Sequence, residues 1–262
     1  MTTTSTASGS ARRWGPVWGA RAEDWAEIED LQTPTYEEAI RRIGIAPGQR
    51  VLDVGCGSGT FLRLAADRGA QVFGLDASET LLEIARRRVP DADLQLGDME
   101  RLPYEDGMFD LVAGFNSFFF AADMISALRE AGRVARPGAP VVIQVWGRPE
   151  RCDLTAMKNG LAPFLPPPPP SPSLWEPGVL EELASSAGLT PRSAFDASWA
   201  YDLPDEQTLA RLLRAAANAE LAARTAGEEA VRSAIIDSLA PYRTPNGRYL
   251  LENEWHYLIA SA

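Results

Sequence analysis

The sequence predicts a doubly wound α/β fold around a parallel sheet, and three observations carry that expectation. Short apolar, β-rich runs recur at 51–54, 72–75, 94–96, 111–115 and 141–146. Stretches of helical period separate most of them: 60–68 ending at Gly69, 79–88, and 124–135 ending before Pro137-Gly138. The first run also passes straight into a glycine-rich turn and then a helix start. Strands that alternate with helices pair in parallel through crossover connections.

A length of 262 residues suits one large α/β domain, or one domain with an insertion. With 45% hydrophobic residues the chain can build its core without disulfides or structural metal. The formal net charge of -11 repels phosphate backbones and anionic lipids, which argues against nucleic acid and membrane as partners. Cys56 and Cys152 stand far apart and in no metal-ligand spacing, so no metal is expected. Arg86-Arg87-Arg88 reads as a solvated helix end. Residues 1–13, Ser/Thr-rich at their start and without an apolar stretch, read as a disordered tail and not as a secretory signal. No run reaches the ~20 apolar residues of a membrane span, so the expected location is the cytoplasm.

The tail leads into a helical segment, 14–46, that holds Trp14, Trp18 and Trp25. Thr35 and Glu38 have capping-box spacing, which opens a short helix stopping near Gly44. After Trp146 the rhythm changes. Residues 166–170 are all proline and call for extended, polyproline-like chain. A helix over 177–187 ends at Gly188, and an extended stretch near 193–201 follows. Two helical patterns come next: Leu209, Leu212, Leu213 and Ala216, then Val231, Ile235 and Leu239. Thr225 and Glu228 stand at capping-box spacing before the second. Residues 254–260 close the chain as a final strand. A single domain over 14–262 is expected, with insertions at about 148–173 and 203–243 forming a lid.

The sharpest motif is Val51-Leu52-Asp53-Val54-Gly55-Cys56-Gly57-Ser58-Gly59-Thr60. Glycines belong where backbone turns tightly and must approach a ligand closely. A dinucleotide fingerprint wants glycine at its first, third and sixth positions, but the sixth here is Thr60. A P-loop needs Gly-Lys-Ser/Thr, which is missing. Asp53, just ahead of the loop, would repel a pyrophosphate and suits a positively charged cofactor. An NAD-dependent oxidoreductase is therefore the weaker alternative. Asp76 ends the second strand about 20 residues on, where a carboxylate can accept from ribose hydroxyls. Asp98 follows the third strand and could accept from an adenine amino group. All three lie at strand C-termini, where open α/β sheets bind ligands.

Together with Asp76-Ala77-Ser78, Gly97-Asp98-Met99, Phe109-Asp110-Leu111-Val112 and Leu128-Arg129-Glu130 before Arg136-Pro137-Gly138, this loop resembles the class I S-adenosylmethionine-dependent methyltransferases. The resemblance runs from about Tyr36 to Trp146, and is nearest to the small-molecule enzymes of the ubiquinone-biosynthesis type. It implies a seven-stranded, Rossmann-like sheet whose last strand is antiparallel, and S-adenosylmethionine as cofactor. Carried over by motif, Gly55, Cys56, Gly57 and Gly59 would pass beneath the methionine part and ribose. Asp53 would support the ammonium end, and Asp76 would hold the ribose hydroxyls. Ala77 and Met99 would flank the adenine, and Asp98 would take its amino group. Phe115 and Asn116 would face the methionine moiety. Pro137-Gly138-Ala139 stands where a glycine pair is usual, a tolerable turn variant.

Methyl transfer from a sulfonium is an in-line displacement, helped most by alignment and exclusion of water. A general base matters only where the nucleophile keeps its proton, so no catalytic residue is assigned. His256, the one histidine, stands in the terminal strand and reads as structural. Asp153 and Glu150 read equally well as a solvated loop, and no His/Asp pair is expected at the strand ends. Tyr36, Tyr104 and Tyr201 are further hydroxyl candidates. Phe118 and Phe119, followed by Phe120, come directly after the fourth strand. With Trp146 and Trp175 they suggest an apolar or aromatic substrate pocket. A protein that keeps fold and cofactor without methylating is the other alternative. Monomer and homodimer are both open.

Overall fold

A computed structural model describes residues 9–262. Three helices precede the sheet: α1 (Ser10–Trp18), α2 (Ala22–Leu31) and α3 (Thr33–Ile43). Residues 10–13 of the expected disordered tail are instead helical and docked. Residues 1–8 of that tail lie outside the described residues.

Four strands come next: β1 (Arg50–Val54), β2 (Gln71–Asp76), β3 (Asp93–Leu96) and β4 (Leu111–Phe115). They are followed by β5 (Pro140–Trp146), β6 (Thr190–Leu203) and β7 (Tyr249–Ser261). The sheet order is β3-β2-β1-β4-β5-β7-β6. The pairs from β3 through β5 are parallel, and β7 runs antiparallel to both β5 and β6. This is the expected sheet of seven strands with the last one reversed. The order switches direction between β1 and β4, and a crevice opens at such a point beyond the strand C-termini. β4 is buried throughout and β1 nearly so, as strands covered on both faces are.

α4 (Thr60–Ala66) and α5 (Glu79–Arg88) join α3 on one face, where Tyr36, Phe61, Leu62 and Leu82 share a core. α6 (Met124–Val134) covers the other face with Ala127 and Leu128. Next come α7 (Leu154–Leu161) and α8 (Val179–Ser186), the latter seating Leu180 and Ala184 on the α6 face.

Between β6 and β7 lie three helices, not two: α9 (Glu206–Leu213), α10 (Ala217–Ala226) and α11 (Glu228–Leu239). They are no detachable lid. Leu209, Leu213, Val231, Ile235 and Leu239 are fully or almost fully buried in the same core as Tyr201, Trp255 and Phe61. The last strand is also longer than expected, because β6 and β7 pair from Leu203↔Tyr249 to Thr190↔Ser261. Neither capping box forms. Thr35 lies inside α3 and donates to Gln32 O at 2.7 Å. Thr225 lies inside α10, separated from α11 by Gly227 at φ 87°. Among the described residues, no helix is long and apolar enough to cross a membrane, and no cluster of three metal-ligating side chains occurs.

Candidate cofactor site

β1 delivers the chain into a loop in which Gly55, Gly57 and Gly59 all have positive φ, at 80°, 54° and 85°. Side chains rarely adopt such angles. At Gly55 a Cβ would also stand 2.5 Å from the Cβ of Ser117, and at Gly57 2.5 Å from Glu29 Oε2. The loop is thus pinned between the start of the β4–α6 connection and α2.

Asp53, Asp76 and Asn116 gather around it. Asp76 is buried and accepts from the Gly57 and Ser78 amides at 2.9 and 2.8 Å. Asn116 has φ 50°, the one positive φ outside glycine among the described residues. Its amide donates to Gln144 O at 3.0 Å, anchoring the turn to β5. Asp53 Oδ1 and Asn116 Oδ1 are both buried without a hydrogen-bond partner. A buried, unpaired acceptor costs about 1–3 kcal/mol, and two at one strand-end crevice fit a ligand that donates there.

No local pattern in the sequence marks Glu29. It stands on α2, is 4% exposed, and accepts from Ser58 N, Ser58 Oγ and Thr60 N at 2.7, 2.8 and 2.9 Å. Nor is Arg88 part of a solvated helix end, since its side chain is only 16% exposed. It donates to Ser58 Oγ and Asp30 at 3.0 Å each and to Thr60 Oγ1, bracing the loop from the end of α5. Only packing brings these residues to the loop.

Burial pushes Glu29 up despite its three donors, and raises the Asp76 carboxyl to about 6. Asp53 lies well above the usual carboxylate range, first through desolvation and then through repulsion by Glu29 and Asp76. Three desolvated carboxyls at one loop favour a cationic ligand. An ammonium or sulfonium group answers that demand.

Asp98 follows β3 and accepts from Ser10 Oγ at 3.0 Å, Ala11 N at 3.1 Å and Glu100 N at 3.0 Å. Ala77 presents its carbonyl to Gly15, and Met99 packs half-buried against the α6-side core. Cys56 is buried with its sulfur against Gly74, a packing role.

Two expected contacts move into the core. Phe115 packs on Tyr36 and Phe61, with ring centroids at 4.8 and 4.6 Å, because its register turns it to the α3–α4 face. Phe118 is 1% exposed and lies over Gly114, the only residue small enough to admit its ring there. Phe119 and Phe120 stay half-buried, and Phe120 meets Trp14 and Trp18 at 4.8 and 5.4 Å. Trp146 stacks on Trp255 at 5.4 Å.

Tyr36 and Tyr201 are buried, and Tyr104 donates to Gly74 O at 3.3 Å. Glu150 is exposed, and Asp153 accepts from Glu252 N at 2.7 Å. A His/Asp pair does form, within β6 and β7 and not at the strand ends. His256 Nδ1 lies 2.6 Å from Asp196 Oδ1, and its Nε2 is buried without a partner. The register that aligns Asp196↔His256 and Val145↔His256 creates the pair, two strands away from β4.

Residues 52–143, from β1 into β5, match the methyltransferase domain family. That segment resembles a methyltransferase domain and lies within a seven-stranded, Rossmann-like sheet. Among its relatives is a demethylmenaquinone methyltransferase of Renibacterium salmoninarum, 39% identical over 110 residues. That match covers 42% of this chain and 46% of the relative, so the chain spans about half of that protein's length. A Bacillus halodurans C-125 protein, described as a candidate methyltransferase, superposes with a TM-score of 0.59 at 14% identity, over 86% of this chain and 97% of its own. The [4+2]-cyclase SpnF superposes with a TM-score of 0.56 at 22% identity, over 87% and 80%. At these identities the two structures speak to the fold.

Proposed function

We propose that the chain binds S-adenosylmethionine at the β1–β4 switch point and methylates a nucleophilic atom of a small, apolar or aromatic metabolite. The observation that carries this reading is Asp53, a buried carboxyl with one oxygen unpaired beside a loop already crowded with acid. Asp53 and Asn116 would hold the ammonium end above Gly55, Cys56, Gly57 and Gly59. Asp76 would hold the ribose hydroxyls, Ala77 and Met99 the adenine faces, and Asp98 the amino group. The bound cofactor supplies an electrophilic methyl group.

The chain itself supplies alignment and dryness. Phe119, Phe120 and Trp146 offer half-buried apolar walls at the ends of β4 and β5. They would set the approach of the nucleophile, where misplacement by ~1 Å can cost 10²-fold. No general base is assigned. The small-molecule substrate and a cytoplasmic location belong to this proposal. Incubation with S-adenosylmethionine and a panel of phenols, amines and carboxylates should release S-adenosylhomocysteine with at least one class. Failure to bind either form of the cofactor would overturn the reading.

A second reading is open to this fold, which the protein named as the [4+2]-cyclase SpnF shares. The chain would then bind the cofactor without methylating, since fold does not fix function. Cofactor binding with no S-adenosylhomocysteine released across a broad panel would favour it.

A further inference from the structure

The proposed function assigns the adenosine end of the cofactor to Asp76, Ala77 and Asp98, and α1 of this chain stands on that same end. Ser10 Oγ and Ala11 N–H donate to the two carboxylate oxygens of Asp98 at 3.0 and 3.1 Å. An adenine amino group would seek those same acceptors. One turn further on, a Cβ at Gly15 would lie 2.2 Å from the Ala77 carbonyl oxygen. That oxygen is backbone and cannot swing aside. At Gly19, just past α1, a Cβ would lie 2.5 Å from Thr80 Oγ1 and 2.6 Å from Ser78 Oγ.

These residues serve the contact at the expense of the helix. Gly15 sits inside α1, where glycine costs about 1 kcal/mol relative to alanine. Pro16 follows inside the same helix and removes a backbone donor. A nine-residue helix with that pair has little stability of its own. It is held down from outside: Trp14 and Trp18 rest on Phe120, and Arg224 of α10 donates to Pro16 O at 3.2 Å.

We infer that α1 is a strap that competes with the adenosine end of the cofactor for Asp98 and Ala77, and must lift for the cofactor to bind. The inference rests on the proposed function and adds a regulation of that site. A closed strap lowers the apparent affinity by the fraction of molecules in which it is open, and a weak helix is cheap to displace.

The test uses the full chain and S-adenosylhomocysteine. Ser10→Ala with Ala11→Pro removes both donors to Asp98 yet spares α1, because proline is tolerated in a first turn. Deletion of residues 1–20 removes the strap outright, and cooperative melting verifies that each variant folds. Calorimetry should show S-adenosylhomocysteine binding about tenfold tighter in both variants than in the unaltered chain, on the strength of the two carboxylate hydrogen bonds removed. Hydrogen exchange of the α1 amides in the unaltered chain should quicken on saturation with S-adenosylhomocysteine. Unchanged or weaker binding in the variants, or α1 amides that slow on saturation, would show a cover that closes over the ligand and overturn the strap. Absence of binding in the unaltered chain and both variants would overturn the proposed function, and the strap with it. Binding by the variants alone would support both.

Discussion

Asp76 does two jobs that a single substitution separates poorly but measurably. Its carboxylate orders the loop through the Gly57 and Ser78 amides, and it would also take the ribose hydroxyls. Hydrogen bonds to charged groups run about 1.5–3 kcal/mol each. Asp76→Ala should therefore weaken S-adenosylmethionine binding by about 2–4 kcal/mol, read by calorimetry on a variant that still melts cooperatively. Unchanged affinity would remove Asp76 from the site. At His256 the expectation runs the other way. Two inter-strand spacings of about 4.8 Å separate β7 from β4, and the ring is tied to Asp196. His256→Gln should change turnover less than tenfold on any substrate the panel identifies, with a lowered melting temperature as the first effect. A thousandfold loss in a stable variant would make the His256–Asp196 pair part of the chemistry.

Elements were legible wherever one face repeats in the sequence. The 79–88 pattern is α5 to the residue, and its Ser78 cap accepts from Leu81 N. Capping boxes misled because their spacing is local while a helix start is settled by its surroundings. Thr33-Pro34 already forms the first turn of α3, with proline preset for that place. The helices α9–α11 were legible as amphipathic, but not what their apolar faces meet. Since Ile235 is fully buried against the main core, Ile235→Ala should cost about 2–5 kcal/mol of stability. Denaturant midpoints would show it, and a loss under 1 kcal/mol would restore the idea of a loosely attached lid. Replacing 203–243 by a flexible linker should abolish cooperative folding for the same reason.

Across the whole molecule, the acid cluster at the glycine loop links stability to pH. A carboxyl whose folded pKa lies above its unfolded value binds more protons when folded. Its ionisation cost is absent below the unfolded pKa and grows as pH rises through the folded one. For Asp76 that window runs from 3.8 to about 6, and Asp53 shifts in the same direction. Asp53→Asn should accordingly melt higher than the unaltered chain at pH 7 without cofactor, with the gap closing toward pH 4. The same variant should bind S-adenosylmethionine more weakly, because the desolvated carboxyl that destabilises the free domain is the group that would recruit the ligand. A variant that melts no higher at pH 7 would show that burial of the Asp53 carboxyl carries no cost to stability.

The sequence by itself determined the parallel sheet, the glycine loop and the three strand-end carboxylates. Each is written in a local signal: an apolar run, a turn that tolerates only glycine, an acid at a strand terminus. Only tertiary structure decided what closes over them. Glu29 and Arg88 lie 29 and 30 residues in sequence from Ser58, and Ser10 lies 88 from Asp98, the groups they serve. No periodicity records such pairings. Phe115 and Phe118 went to the core for a related reason, since register and the lack of a side chain at Gly114 settle which ring turns inward. Local patterns state what a residue can do, and the packing of distant helices decides what it is given to do.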